Sequence, residues 1–179
     1  MRILSSADVR ASVDMPAAIE AMREAFGALA GGGAVSPLRV ALETPHGVSL
    51  FMPAYIEAGA RSGAKVVSVN PGNRELGIPV IHAVVLVIDP VTGRPTALMD
   101  GTWLTALRTG AVGGLAADLM ARSDARSVGL FGAGVQARTQ LEAVRCVRAI
   151  ERVRIFSPSG TSADLLVEEL EGIDAASVS

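Results

Sequence analysis

Ten residues constrain this chain more than any others: Val128-Gly129-Leu130-Phe131-Gly132-Ala133-Gly134-Val135-Gln136-Ala137. A short apolar run ends in two glycines one residue apart, and a helical pattern begins at once. That is the layout of a strand, a tight turn and a helix N-terminus. Gly132 permits the turn, and Gly134 lets the backbone approach a pyrophosphate closely. Ala137 stands where a small residue lets the helix pack on the strand. The helix start also offers unpaired N–H groups and a positive dipole end to an anion. The pattern predicts dinucleotide binding. A βα turn without a ligand is the alternative that glycine spacing alone leaves open.

The downstream pattern agrees with such a turn. Strand 128–132, helix 134–149, strand 153–157 and helix 162–171 alternate, which predicts parallel βαβ winding. A doubly wound domain needs several more strands than can follow Asp124 in a chain of 179 residues, so the chain is expected to be cut short.

Upstream the pattern is different. Ser5 or Ser6 can cap a short helix over 7–13. Asp14 can cap a second, with Pro16 in its first turn and Ala18, Met22, Ala25, Phe26 and Leu29 at helical spacing. Gly31-Gly32-Gly33 stops it. Strand-like runs follow at 38–43, 48–52, 64–69, 79–88 and 96–99, separated by Pro45-His46-Gly47, Asn70-Pro71-Gly72-Asn73 and Asp89-Pro90-Val91-Thr92-Gly93. Successive strands without helices between them predict a largely antiparallel or mixed sheet. Asp100-Gly101 closes it, Asp100 reading as a cap or turn residue, and Thr102 can cap a helix running to about Ala121. Gly110, Ala111, Gly113, Gly114, Ala116 and Ala117 crowd that helix with small residues, which predicts close packing and a bridge between two domains. The boundary is placed at Arg122-Ser123-Asp124. The fold class is therefore α/β, an α+β domain over 1–122 followed by a Rossmann-type domain over 123–179 that is incomplete.

Composition narrows the function classes. Half the residues are apolar, with a mean hydropathy of +0.42, as buried parallel strands read. A net charge of −2 gives no electrostatic footprint for nucleic acid. The longest uncharged apolar run, about 78–88, is too short to span a bilayer, and the N-terminus does not read as a signal peptide. A soluble, cytoplasmic protein is expected. The single cysteine, Cys146, rules out an internal disulfide; its helical position reads as core.

Three cations stand out. Arg39 begins a strand, Lys65 interrupts the apolar run 64–67, and Arg108 lies among small and apolar residues. Each is expected to have an anionic partner or to snorkel. Together, in a chain with a dinucleotide turn, they point to a carboxylate pocket, because arginine grips a carboxylate with two parallel hydrogen bonds. His82, inside an apolar strand, reads as core or hinge, and His46 as surface. Neither pairs with a Cys or acid at ligand spacing, so no metal is predicted.

At this point the motifs resemble one family. Lys65-Val66-Val67-Ser68-Val69-Asn70-Pro71-Gly72-Asn73, Asp89-Pro90-Val91-Thr92-Gly93-Arg94-Pro95, Asp100-Gly101, Leu104-Thr105-Ala106-Leu107-Arg108-Thr109-Gly110-Ala111 and Gly132-Ala133-Gly134-Val135-Gln136-Ala137 resemble, in order and spacing, the ornithine cyclodeaminase/mu-crystallin family. The Thr-x-x-Arg-Thr pattern upstream of Gly-x-Gly-x-Gln is far more specific than the glycines alone. The resemblance implies a substrate-binding and dimerisation domain before the Rossmann domain, and a homodimer. It implies Arg39, Lys65 and Arg108 around a substrate carboxylate, with Lys65 at the catalytic centre. It implies Arg108, Thr109, Gly132, Ala133, Gly134, Val135, Gln136 and Ser157 at an NAD(P) cofactor. The activity implied is hydride transfer to or from the α-carbon of a small amino or imino acid, as in cyclodeaminases, alanine dehydrogenases and cyclic imino-acid reductases. The alternatives are a non-catalytic cofactor binder of the crystallin type, or an inactive fragment.

Three departures qualify that expectation. The family's general acid/base aspartate belongs to a part of the Rossmann domain beyond residue 179. Ser157-Pro158-Ser159 stands where a carboxylate would bind the adenosine ribose, which leans the cofactor toward NADP(H). Leu50 precedes Phe51-Met52-Pro53 where cyclodeaminases place an acid, favouring an apolar or cyclic substrate over ornithine.

Overall fold

The computed structural model describes residues 1–158 and 160–178. The chain divides into two compact units, Met1–Val13 with Glu24–Thr105, and Asp14–Arg23 with Ala106–Ser179. The division crosses the bridging helix at 105/106, upstream of the boundary read from the loop at 122–124. It also assigns residues 14–23 to the second unit.

The first unit holds β1 (Arg2–Leu4), α1 (Ser6–Ser12), β2 (Ala34–Val35), β3 (Val40–Thr44), β4 (Gly47–Ile56), β5 (Arg61–Val69), β6 (Ile81–Ile88) and β7 (Pro95–Asp100). Its described strands form one sheet in the order β1-β7-β6-β5-β4-β2, with β3 also on β4. All pairs are antiparallel except β1 with β7, so the sheet is mixed. β1 and β2 are too short for periodicity to reveal. α1 is capped by Ser5, whose side chain accepts from the Asp8 amide while Asp8 reaches back to the Ser5 amide. The β6–β7 turn is built as the sequence implies. Asp89 accepts from the Val91 amide at 2.9 Å and the Thr92 hydroxyl at 2.6 Å, and Gly93 takes φ +70°.

Strand alternation decides which side chains the sheet hides. Val67 and Ala83 are buried, and their directly opposed positions place them on one face. One residue away, Val40, Phe51, Val66 and Val84 share the other face, where Val40, Phe51 and Val84 are exposed. His82 has the parity of Val84 and is exposed. The core reading of His82 is therefore wrong: its apolar neighbours in sequence belong alternately to the two faces. His46 is a surface residue of the β3–β4 turn.

Helices α2 (Met15–Ala30) and α3 (Thr102–Met120) each run across the division. Asp14 caps α2, accepting from the Ala17 amide at 2.9 Å. At α3 the cap is Asp100, not Thr102: Asp100 Oδ1 accepts from the amides of Thr102 and Trp103 at 3.1 and 3.4 Å. The Thr102 hydroxyl instead accepts from the Ala83 amide at 3.2 Å.

The second unit adds β8 (Ser127–Phe131), α4 (Val135–Val147), β9 (Arg152–Phe156), α5 (Gly160–Glu168) and β10 (Asp174–Val178). The strands are parallel in the order β10-β9-β8. β10 extends the expected βαβ pattern by one strand. Arg154 fastens it to β9, donating to both carboxylate oxygens of Asp174 at 2.9 and 3.2 Å. Val153 and Ile155 are fully buried with Leu141, Ala163 and Leu166, each large side chain worth roughly 1.5–3 kcal/mol of burial. Cys146 is exposed rather than core, because Leu141 and Ala143 carry the inward face of α4. Burial of part of its surroundings and the nearby Glu142 push the Cys146 thiol pKa up, which disfavours the reactive thiolate.

At the far end of α3 an ion-pair hub closes the unit. Asp118 receives Arg23 at 2.7 Å and Arg148 at 3.2 Å. Arg148 also donates to the carbonyls of Ala117, Asp118, Ala121 and Arg122, satisfying acceptors that a helix C-terminus leaves open.

Candidate cofactor and substrate site

The glycine turn is where the parallel sheet meets the start of α4. Gly132 adopts φ +98°, a conformation that L side chains rarely take. Its amide donates to the Phe156 carbonyl at 2.7 Å. That bond places the end of β9, and hence Ser157, beside the turn. Gly134 is the N-cap of α4 and supplies no side-chain cap to the helix amides. A Cβ built on Gly132 or on Gly134 would meet no described atom within 4 Å. Gly134, Val135 and Gln136 are exposed, and Ala133 is buried beneath them. The turn thus presents helix-start amides over open backbone, the arrangement that accepts a phosphate.

Ser157 shares a hydrogen bond with Ser162, their hydroxyl oxygens 2.8 Å apart. Ser159, read with it as part of the ribose contact, lies outside the described residues. Thr109 is brought to α4 from the other side, its carbonyl accepting from Gln140 Nε2 at 3.1 Å. Gly110 permits this approach: a Cβ there would stand 2.4 Å from the Thr139 carbonyl oxygen. Arg108, beside Thr109, is exposed rather than buried.

Arg39 and Lys65 belong to the first unit, Arg108 and the glycine turn to the second. Arg39 is exposed just before β3, so its charge needs no buried anion to sustain it. Arg39 and Lys65 stand on either side of β4, where Val40 pairs with Phe51 and Lys65 with Met52. Lys65 lines an apolar groove of about 400 Å³ on that sheet with Met52, Ala54, Val85 and Val87. Among the described residues no cluster of His, Cys, Asp and Glu could hold a metal ion.

Arg138 lies outside the residues that the glycine motif singles out. It lies one turn into α4 and donates from Nη1 to the carbonyls of Ala133 and Gly134, at 2.7 and 3.3 Å. A cation so near a helix N-terminus opposes the dipole, and that misplacement was the available signal. Its partner, Glu169, lies 31 residues away.

The second unit is a Rossmann-type βαβαβ arrangement. Its sequence places it more narrowly: the chain belongs to the ornithine cyclodeaminase/mu-crystallin family, whose model matches residues 1–179. An alanine dehydrogenase of Archaeoglobus fulgidus is 39% identical over 176 residues, which is 97% of this chain and 54% of that protein. A Thermococcus litoralis Δ1-pyrroline-2-carboxylate reductase, solved with NADH and L-proline, superposes with a TM-score of 0.95 at 42% identity, over 99% of this chain and 57% of its own. An archaeal alanine dehydrogenase dimer with bound NAD gives 0.96 at 38% identity, over 100% and 56%. The chain spans about half the length of the curated relatives it matches. Among the described residues no helix is long and apolar enough to cross a membrane.

Proposed function

We propose that the protein is an NAD(P)-dependent enzyme that moves hydride to or from the α-carbon of a small amino or imino acid. The observation that carries this is the Gly132–Gly134 turn, where neither glycine is demanded by packing against described atoms and the α4 amides are left without a side-chain cap. Gly132, Ala133, Gly134, Val135 and Gln136 hold the pyrophosphate, with Arg108, Thr109 and Ser157 at its flanks. The nicotinamide ring supplies the hydride acceptor or donor. Arg39, Lys65 and Arg108 bind the substrate carboxylate, and Lys65, carrying a charge in an apolar groove, stands at the reacting end. Fixing the carboxylate makes approach to the cofactor effectively intramolecular. Leu50 in place of an acid favours an apolar or cyclic substrate, so a cyclic imino acid is the leading candidate and ornithine a weak one.

Ser157 brings no carboxylate to the adenosine ribose, and no like-charge repulsion excludes a 2′-phosphate. Both cofactors are therefore used, with a lean toward NADP(H). The exposed Val40, Leu42, Phe51 and Val84 support a homodimer formed through the first domain, as does the dimeric state of the archaeal relative. The test is oxidation of NADH and NADPH with Δ1-pyrroline-2-carboxylate, and reduction of NAD and NADP with L-alanine, on the protein as its gene encodes it. Cofactor binding without turnover of any amino or imino acid would favour the crystallin-type binder instead.

A further inference from the structure

On the reading that the glycine turn holds a nicotinamide dinucleotide, we infer that Arg138 and Glu169 act as a clamp that sets the turn for its ligand, making both positioning residues. Glu169, just beyond α5, holds the Arg138 guanidinium in a fork: Nε donates to Oε2 at 2.7 Å and Nη2 to Oε1. This two-point grip fixes the plane of the guanidinium. The remaining nitrogen, Nη1, then points at the turn and donates to the carbonyls of Ala133 and Gly134. Those carbonyls belong to the peptide units whose N–H groups are on Gly134 and Val135. Holding the carbonyl end of a planar peptide orients its amide end. The clamp therefore aims the Gly134 amide, and adds to the helix's own Ala137 N–H bond in aiming that of Val135, before a pyrophosphate arrives; pre-set donors bind with less ordering cost.

Stability alone does not account for the arrangement. The pair is half-exposed, with Arg138 and Glu169 side chains 36% and 51% accessible, and exposed ion pairs contribute little to folding. The cation also sits at the wrong end of its helix for the dipole. The Arg138 charge holds the Glu169 carboxyl below its ordinary pKa, so the fork is intact at neutral pH.

The experiment is a fluorescence titration of NADH and of NADPH against wild type, Arg138→Ala, Arg138→Lys, Glu169→Ala, Glu169→Gln and the double alanine variant, on the protein as its gene encodes it, with Tm followed in parallel. Arg138→Ala and Glu169→Ala should each weaken cofactor about tenfold, less than the full worth of the two turn hydrogen bonds. The double variant should bind no worse than Arg138→Ala, because Glu169 acts only through Arg138. Added guanidinium ion should restore affinity to Arg138→Ala and leave wild type unchanged, a rescue that general destabilisation would not show. At saturating cofactor kcat should stay unchanged. Arg138→Lys and Glu169→Gln keep the size of the side chains, so an effect on affinity at unchanged Tm reads the clamp even if the alanine variants unfold. Arg138→Ala and Arg138→Lys binding within about twofold of wild type, the range of a neutral surface change, would overturn the clamp alone. Failure of wild type to bind either cofactor would overturn the cofactor reading and the clamp with it.

Discussion

Two groups of glycines flank α4, and they make room for different things. In α3, a Cβ on Gly110 would stand 2.4 Å from the Thr139 carbonyl oxygen, and one on Gly114 would stand 2.8 Å from the Ala143 methyl. The protein's own packing demands glycine there. At Gly134 nothing described lies within 4 Å of an added Cβ, and its φ of −84° suits any residue. Glycine is also only a modest N-cap, where Ser or Asp would serve the helix better. The same residue type thus reports helix packing in one region. In the other, on the function proposed above, it reports the approach of a pyrophosphate. Stability measurements should respond to the first group and ligand measurements to the second.

Gly134→Val gives the largest expected effect and the sharpest test of that contrast. A branched side chain would occupy the space through which the pyrophosphate approaches, so affinity for NADH and NADPH should fall by at least about a hundredfold. Tm should stay near wild type, since a Cβ added at Gly134 meets no described atom within 4 Å. Normal cofactor affinity in this variant would remove the basis for placing the dinucleotide here.

Gly110→Ala should do the reverse. Overpacking against a backbone carbonyl costs about 3 kcal/mol, less about 1 kcal/mol regained in helix propensity, which leaves a loss of about 2 kcal/mol. Denaturant unfolding measures it. Gly113→Ala serves as the control, because the nearest atom there is the mobile amide end of Gln140. It should lose the bond to the Thr109 carbonyl, worth about 1 kcal/mol, and regain a similar amount in propensity. Equal destabilisation by the two would show that α3–α4 contact is not what Gly110 serves.

A smaller effect is expected at the edge of the ligand region. Ser157→Asp introduces a carboxylate beside the turn and should shift kcat/KM by about tenfold toward NAD(H), since like-charge opposition to a 2′-phosphate is worth a few kcal/mol before screening. Comparison of kcat/KM for both cofactors in wild type and variant reads it. If wild type already rejects NADP(H) strongly, Ser157 does not face the ribose.

The smallest effect belongs to the packed region. Arg23 first, then Arg148, hold the Asp118 carboxyl below its ordinary value of 3.8. A depressed carboxyl adds stability above its unfolded pKa, and that stability is lost as pH falls through the folded one. The window therefore opens below about pH 4. Asp118→Asn should be less stable at neutral pH and show a flatter acid limb in urea unfolding. An unchanged acid limb would mean that the hub contributes nothing at that end of α3.

Much of this was legible in the residues, and the limits have physical causes. Local signals worked where the physics is local. The Asp89–Gly93 turn, the Ser5 and Asp14 caps and the glycine turn all depend on neighbours a few positions away. Misreadings came where a residue's surroundings are set by distant chain. His82 and Cys146 sit in apolar sequence yet face outward, because face assignment in a strand or helix depends on which side the rest of the unit covers. Asp100 rather than Thr102 caps α3, and the Thr102 hydroxyl accepts from the Ala83 amide of β6, a partner nineteen residues away.

The sequence by itself determined the order of elements, the change from antiparallel strands to βαβ winding, and the family to which the chain belongs. Period, turn chemistry and a spaced motif are properties of consecutive residues. Only the tertiary structure decided that Arg138 meets Glu169, that Arg148 closes the end of α3, and which glycines are filled by neighbouring atoms. Those facts join positions about thirty residues apart. A side chain's partners at that separation are chosen by how helices and strands pack, which no local pattern encodes.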